Sequence, residues 1–143
     1  MEQRVSLVTL GVADVQRSLA FYERLGWRGQ EVQETVFFQA GGQAVVLWSR
    51  QLLAEDCGID DDGGTGFSGI ALAHNVGSRP EVDRILEVAK AAGAEITKPA
   101  AETFYGGYAG YFRDLDGHFW EIAFNPGFEL GPAGELILPD FSA

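Results

Sequence analysis

Glu121 is the residue of this chain whose type and setting most demand a chemical explanation. It stands in the run His118-Phe119-Trp120-Glu121-Ile122-Ala123-Phe124, a carboxylate among alternating apolar residues just after an Asp-Gly turn. A carboxylate so placed can ligate a metal, act as a general base with its pKa raised by apolar neighbours, bind a cationic group or hold a subunit contact. The runs 108–113 and 118–124, rich in aromatic and β-branched residues, flank Asp114-Leu115-Asp116-Gly117 and read as a β-hairpin. On the second strand His118, Trp120, Ile122 and Phe124 share one face, and Phe119, Glu121 and Ala123 share the other. The more apolar set is expected against a helix, which leaves Glu121 on the concave side. A four-residue turn would pair Glu121 with Gly110, Phe119 with Phe112 and Ala123 with Tyr108. Tyr108 is then the expected hydrogen-bonding companion of Glu121, and its catalytic partner if the site is an enzyme's.

The other reactive residue types add little. Cys57 is the single cysteine and lies among acidic residues, which disfavours a reactive thiolate. His74 shares parity with Ile70 and Leu72, and His118 with Trp120, so both are expected to face away from Glu121. No Ser-His-Asp or Cys-His arrangement is readable. The glycines of Phe104-Tyr105-Gly106-Gly107-Tyr108 do not open a helix, so they read as an aromatic lid or a plain loop and not as a phosphate loop.

The elements that must position these residues repeat along the chain. Strand 5–12, helix 14–26, a short strand near 28–32 and a hairpin over 35–49 are followed by strand 67–74, helix 78–93, strand 94–98 and the hairpin already described. Asp14 can cap the first helix, with Val15, Leu19, Tyr22 and Leu25 as its buried stripe. Ser78 and Glu81 form a capping box for the second, Pro80 suits its first turn and Gly93 stops it. Each half therefore reads βαβββ, with module one over 5–52, an acidic Gly-rich linker over 53–66, module two over 67–125 and a tail over 126–143 whose Glu-Leu-Ile-Leu run could cover a sheet edge. Applying the hairpin register to the first module points Val36, Phe38, Val45, Leu47 and Ser49 inward. Leu7, Thr9, Gly69, Ala71 and Ala73 complete a mostly apolar concave surface suited to a small organic ligand.

Composition bounds the function. At 143 residues and 46% hydrophobic, the chain can bury one sizeable core. A net charge of −11 argues against nucleic acid or anionic membrane as a partner and is compatible with a cationic ligand. No apolar run reaches the length of a membrane span and the N-terminus lacks a signal core, so a cytoplasmic location is expected.

Residues 7–27, LVTLGVADVQRSLAFYERLGW, and 110–126, GYFRDLDGHFWEIAFNP, with IALAHNV at 70–76, resemble the vicinal oxygen chelate superfamily, which includes glyoxalase I, bleomycin resistance proteins and extradiol dioxygenases. The resemblance implies an α+β fold in which two βαβββ modules form paired cups, and a homodimer whose sites draw on both subunits. Metal-dependent relatives place His, Glu, His and Glu on the inner strands. Carried over position by position, these fall on Leu7, Leu47, Gly69 and Glu121, and only the last has a donor atom. A slip of one residue offers Ser6, Trp48 or Ser68, no better as ligands. The expectation is no metal and no other cofactor, with a ligand site formed by Leu7, Thr9, Phe38, Leu47, Gly69, Tyr105, Tyr108, Phe112 and Glu121. The absent ligands favour a binding protein, similar to the bleomycin resistance proteins, over a lyase, isomerase or dioxygenase-like enzyme that uses Glu121 as base or ligand.

Overall fold

The computed structural model describes residues 1–64 and 66–142. The chain divides into two units, Met1–Ser68 with Leu115–Gly117, and Gly69–Asp114 with His118–Ala143. Each carries one four-stranded mixed sheet and a helix packed on one of its faces, an α+β architecture in βαβββ order.

In the first unit β1 (Leu7–Val12), α1 (Val15–Arg24), β2 (Gly29–Val32), β3 (Thr35–Ala40) and β4 (Gln43–Ser49) build a sheet of order β1-β4-β3-β2, with β1 and β4 parallel. Asp14 caps α1 by accepting from the Arg17 amide at 3.0 Å. The helix buries Leu19, Phe21 and Tyr22, and the rings of Tyr22 and Trp27 lie 5.7 and 5.3 Å from that of Phe38. Asp116, at the tip of a later turn, belongs to this unit. It accepts from the Ala13 amide at 2.9 Å and the Ser18 hydroxyl at 2.6 Å, so it satisfies one donor beside the start of α1 and a buried hydroxyl.

The stretch 53–66, read as an acidic Gly-rich linker, begins inside a short helix. Ser49 accepts from the Leu52 amide and opens α2 (Arg50–Asp56). Beyond α2, Arg50 holds Asp61 at 2.8 Å and Asp62 at 3.3 Å.

In the second unit β5 (Ala71–Asn75), α3 (Arg79–Ala91), β6 (Glu95–Glu102), β7 (Tyr108–Arg113) and β8 (Phe119–Phe124) give the order β5-β8-β7-β6, with β5 and β8 parallel. Ser78 caps α3, and Glu81 accepts from the Ser78 hydroxyl and the Gly77 amide, both at 3.1 Å. β6 runs past Pro99, at the cost of register shifts between Ile96 and Ala101. The Glu-Leu-Ile-Leu run does not cover an edge of a four-stranded sheet. β10 (Leu136–Ile137) pairs with β9 (Glu129–Leu130) in a two-stranded sheet of its own. Among the described residues no helix is long and apolar enough to cross a membrane.

Candidate functional site

The β7–β8 hairpin sets the site, and its register differs by one residue from the four-residue-turn expectation. Asp114 and His118 are bonded across the turn, 2.9 Å from amide to carbonyl, and Gly117 has φ +88°, so the loop is the three residues Leu115–Gly117. This is the turn in which a left-handed glycine follows a type I bend. Tyr111 therefore stands opposite Glu121, Phe112 opposite Trp120 and Gly110 opposite Ile122.

One step of register exchanges the neighbours of Glu121. Phe112, Trp120 and Ile122 are buried, with the Phe112 and Trp120 rings stacked at 6.4 Å, and a Cβ on Gly110 would meet Leu86 of α3 at 2.6 Å. Gly110 is therefore small because the helix approaches it, and it leaves no room at a ligand. Tyr108, expected beside Glu121, instead donates to Asp83 of α3 at 2.7 Å. Phe112, also expected at the ligand, is core. The residue missed is Tyr111. Directly opposite side chains on an antiparallel pair meet, and the Tyr111 hydroxyl donates to Glu121 Oε2. That hydrogen bond, with burial and the carboxylate's charge, pushes the Tyr111 phenol up to about 12, so it remains a neutral donor at physiological pH.

Glu121 does lie on the face away from α3, as expected. Its row across the sheet is Ala73–Glu121–Tyr111–Lys98, and Ala71 and Ala73 are exposed beside it. On the same face Arg113 pairs with Glu95. Tyr105, expected at the ligand, lies in the turn before β7 and is 42% exposed.

In the first unit the expected register holds, Val36 opposite Leu47 and Phe38 opposite Val45, but the faces are reversed. Phe38 and Leu47 are buried on the α1 side with Val36, so neither lies on the open face. Leu7 and Thr9 do, together with Phe37 and Val46. Gly69 is not on a strand; it has φ +83° two residues before β5. His74 is the register partner of Ile122, on the α3 side.

The model of the glyoxalase/bleomycin resistance protein/dioxygenase superfamily matches residues 4–122. The chain belongs to this superfamily. A glyoxalase-related enzyme from Fulvimarina pelagi has a solved structure similar to this chain at 39% identity, with a TM-score of 0.88 over 96% of this chain and 99% of that one. A hypothetical protein from S. aureus matches at 26% identity and TM-score 0.76, over 87% and 94% of the two chains. The fosfomycin resistance protein FosX from Mesorhizobium loti, at 20% identity and TM-score 0.66 over 87% and 94%, shares the fold. No functionally curated protein matches the chain.

The metal implied by metal-dependent superfamily members does not fit these residues. The helix caps Asp14 and Ser78 align the two units, so Thr9–Val46 corresponds to Ala73–Glu121 and the first Glu position falls on Val46, not on Leu47. The same alignment carries Leu7 onto Ala71 and not onto Gly69; Leu7, Val46 and Ala71 carry no donor side-chain atom, nor does Gly69, which leaves Glu121 alone of the four. Among the described residues no three His, Cys, Asp or Glu side chains are grouped to hold an ion.

Proposed function

We propose that the second unit binds a small organic ligand on the open face of its sheet, without a metal, through Glu121 as anchor for a cationic or N–H-bearing group. The observation that carries this reading is the hydrogen bond from Tyr111 to Glu121. The bond fixes one carboxylate oxygen and leaves the other free to accept a charge-assisted hydrogen bond from a ligand N–H. The exposed Ala71 and Ala73 leave an apolar shelf beside it on which the body of a ligand can rest. The chain's acidity attracts cations over longer range. We place the protein in the cytoplasm as a homodimer, for which the exposed Leu136, Ile137, Leu138 and Phe141 offer apolar surface.

A second reading draws on the 39% identical glyoxalase-related enzyme: Glu121 as general base toward a small carbonyl or aromatic substrate. Against it, Glu121 Oε2 is already held by the Tyr111 hydroxyl.

Calorimetric titration with a panel of aromatic amines tests the anchor. Glu121→Gln keeps the shape and removes the charge, and should weaken binding by about 1.5 to 3 kcal/mol, the range for hydrogen bonds to charged groups. Equal affinity for wild type and variant would remove Glu121 from the site.

A further inference from the structure

β6 reaches Tyr111 by way of two irregularities. With Glu95 opposite Arg113 and Ile96 opposite Phe112, an unbroken ladder would set Thr97 opposite Tyr111. The register shifts instead between Ile96 and Lys98 and again between Lys98 and Ala101, so Lys98 is the register partner of Tyr111. Pro99, which has no N–H to give to a ladder, follows directly. β6 is an edge strand, where a bulge and a proline are tolerated. A bulge re-aims a side chain, and here it exchanges a threonine for an ammonium in the row of Glu121. The matching strand of the first unit has no such shift: β2 pairs with β3 continuously and sets Gln30 opposite Phe37.

The polar groups of the row do not exhaust one another. Tyr111 occupies Glu121 Oε2, and no described residue donates to Oε1. Among the described residues no carboxylate pairs with the Lys98 ammonium, and the side chain is exposed. Arg113, the cation of the next row, is held by Glu95. Glu121 and Lys98 therefore flank Tyr111 as an acceptor and a donor, two strand spacings or about 10 Å apart. A charge-assisted hydrogen bond of about 2.8 Å at each end leaves about 4 Å between the nitrogen and the oxygen of a bridging ligand, the separation of ammonium and carboxylate in a β-amino acid.

We propose that Lys98 is a second anchor of the Glu121 site and that the ligand is a zwitterion of the β-amino acid class, its ammonium on Glu121 and its carboxylate on Lys98. Ala73 stands on the side of Glu121 away from Tyr111, so an apolar substituent on the amino-bearing carbon rests on the Ala71 and Ala73 shelf. This inference rests on the proposed anchoring role of Glu121, and its test separates the two.

β-Phenylalanine and its primary amide share the ammonium, the ring and the size, and differ in the carboxylate. Titrated by NMR at neutral pH and low salt against wild type, the zwitterion should bind about two- to fivefold more tightly than the amide, the gain an exposed ion pair gives. The chain's net charge of −11 opposes that order, so the preference reports a local cation. Lys98→Met keeps most of the stem, removes the ammonium and should bring the ratio to one or below by weakening the zwitterion and not the amide. Lys98→Arg should keep the preference. A wild-type ratio of one or below, or a preference that survives Lys98→Met, overturns the second anchor. Binding of both probes undiminished by Glu121→Gln sinks the Glu121 anchor, and the ratio then decides Lys98 by itself. No saturable binding of either probe by wild type overturns both.

Discussion

The two sheets share strand order and strand directions, and they differ where one can do chemistry and the other cannot. On the open face of the first the central row is Thr9–Val46–Phe37–Gln30; on that of the second it is Ala73–Glu121–Tyr111–Lys98. Valine stands for glutamate and phenylalanine for tyrosine at matching places. A carboxylate on a half-buried face needs a donor, and a phenol there needs an acceptor. The two polar groups are present together in one unit and absent together in the other, as expected if each is tolerable only with its partner. Behind the rows the units are alike, with Phe38 against Tyr22 and Trp27 in the first and Phe112 stacked on Trp120 in the second.

That likeness behind the sheets gives the largest expected effects. Phe38→Ala and Trp120→Ala each empty a helix-facing core position and should each cost about 3 to 5 kcal/mol of stability. Denaturant unfolding of both variants measures this. A Phe38→Ala protein of wild-type stability would return Phe38 to the open face and cancel the difference drawn between the units.

Moving the polar pair comes next. Val46 is 4% exposed, so Val46→Glu buries a carboxylate without a donor and should cost about 3 kcal/mol, the lower end for an unpaired buried charge. Adding Phe37→Tyr supplies the phenol in the geometry seen between Tyr111 and Glu121, and a double-mutant cycle should return a favourable coupling of about 0.5 to 3 kcal/mol. A coupling of zero would mean that the match between rows is one of sequence position only.

The sequence and the structure agree where a local rule has one solution. Asp14 and Ser78 cap the helices they were expected to cap, and the face of Glu121 follows from the contrast between Trp120 and Ile122 on one side and the carboxylate on the other. The partner of Glu121 was illegible because Asp114-Leu115-Asp116-Gly117 fits both a four-residue turn and a three-residue loop with a left-handed glycine, and these differ by one register step. In the first hairpin the register was readable and the faces were not. Val36, Phe37 and Phe38, then Val45, Val46, Leu47 and Trp48, are apolar throughout, so period-two alternation carries no signal. One available cue was the 75-residue offset between Gly42 and Gly117, which carries Glu121 onto Val46 and not onto Leu47.

The smallest effect is the most direct probe of the polar pair. The Tyr111 phenol is pushed from 10.0 to about 12, first by its hydrogen bond to Glu121 and then by burial and the carboxylate's charge. Because the folded value is raised, the stabilisation is fully present below pH 10, where the free phenol is still protonated. It is lost as pH rises through the window from 10 to about 12. Ultraviolet absorbance of tyrosinate across that window should show a late step that belongs to Tyr111. Tyr108 is also raised, by its bond to Asp83, so the assignment requires variants. Tyr111→Phe should delete one late step, and Glu121→Gln, which removes the charge, should bring that step down toward 10 while leaving Tyr108 in place. Phe37 offers no such proton at the matching place in the first unit. If Tyr111→Phe removes no late step, or Glu121→Gln shifts none, the phenol and carboxylate do not form the pair that distinguishes the two sheets.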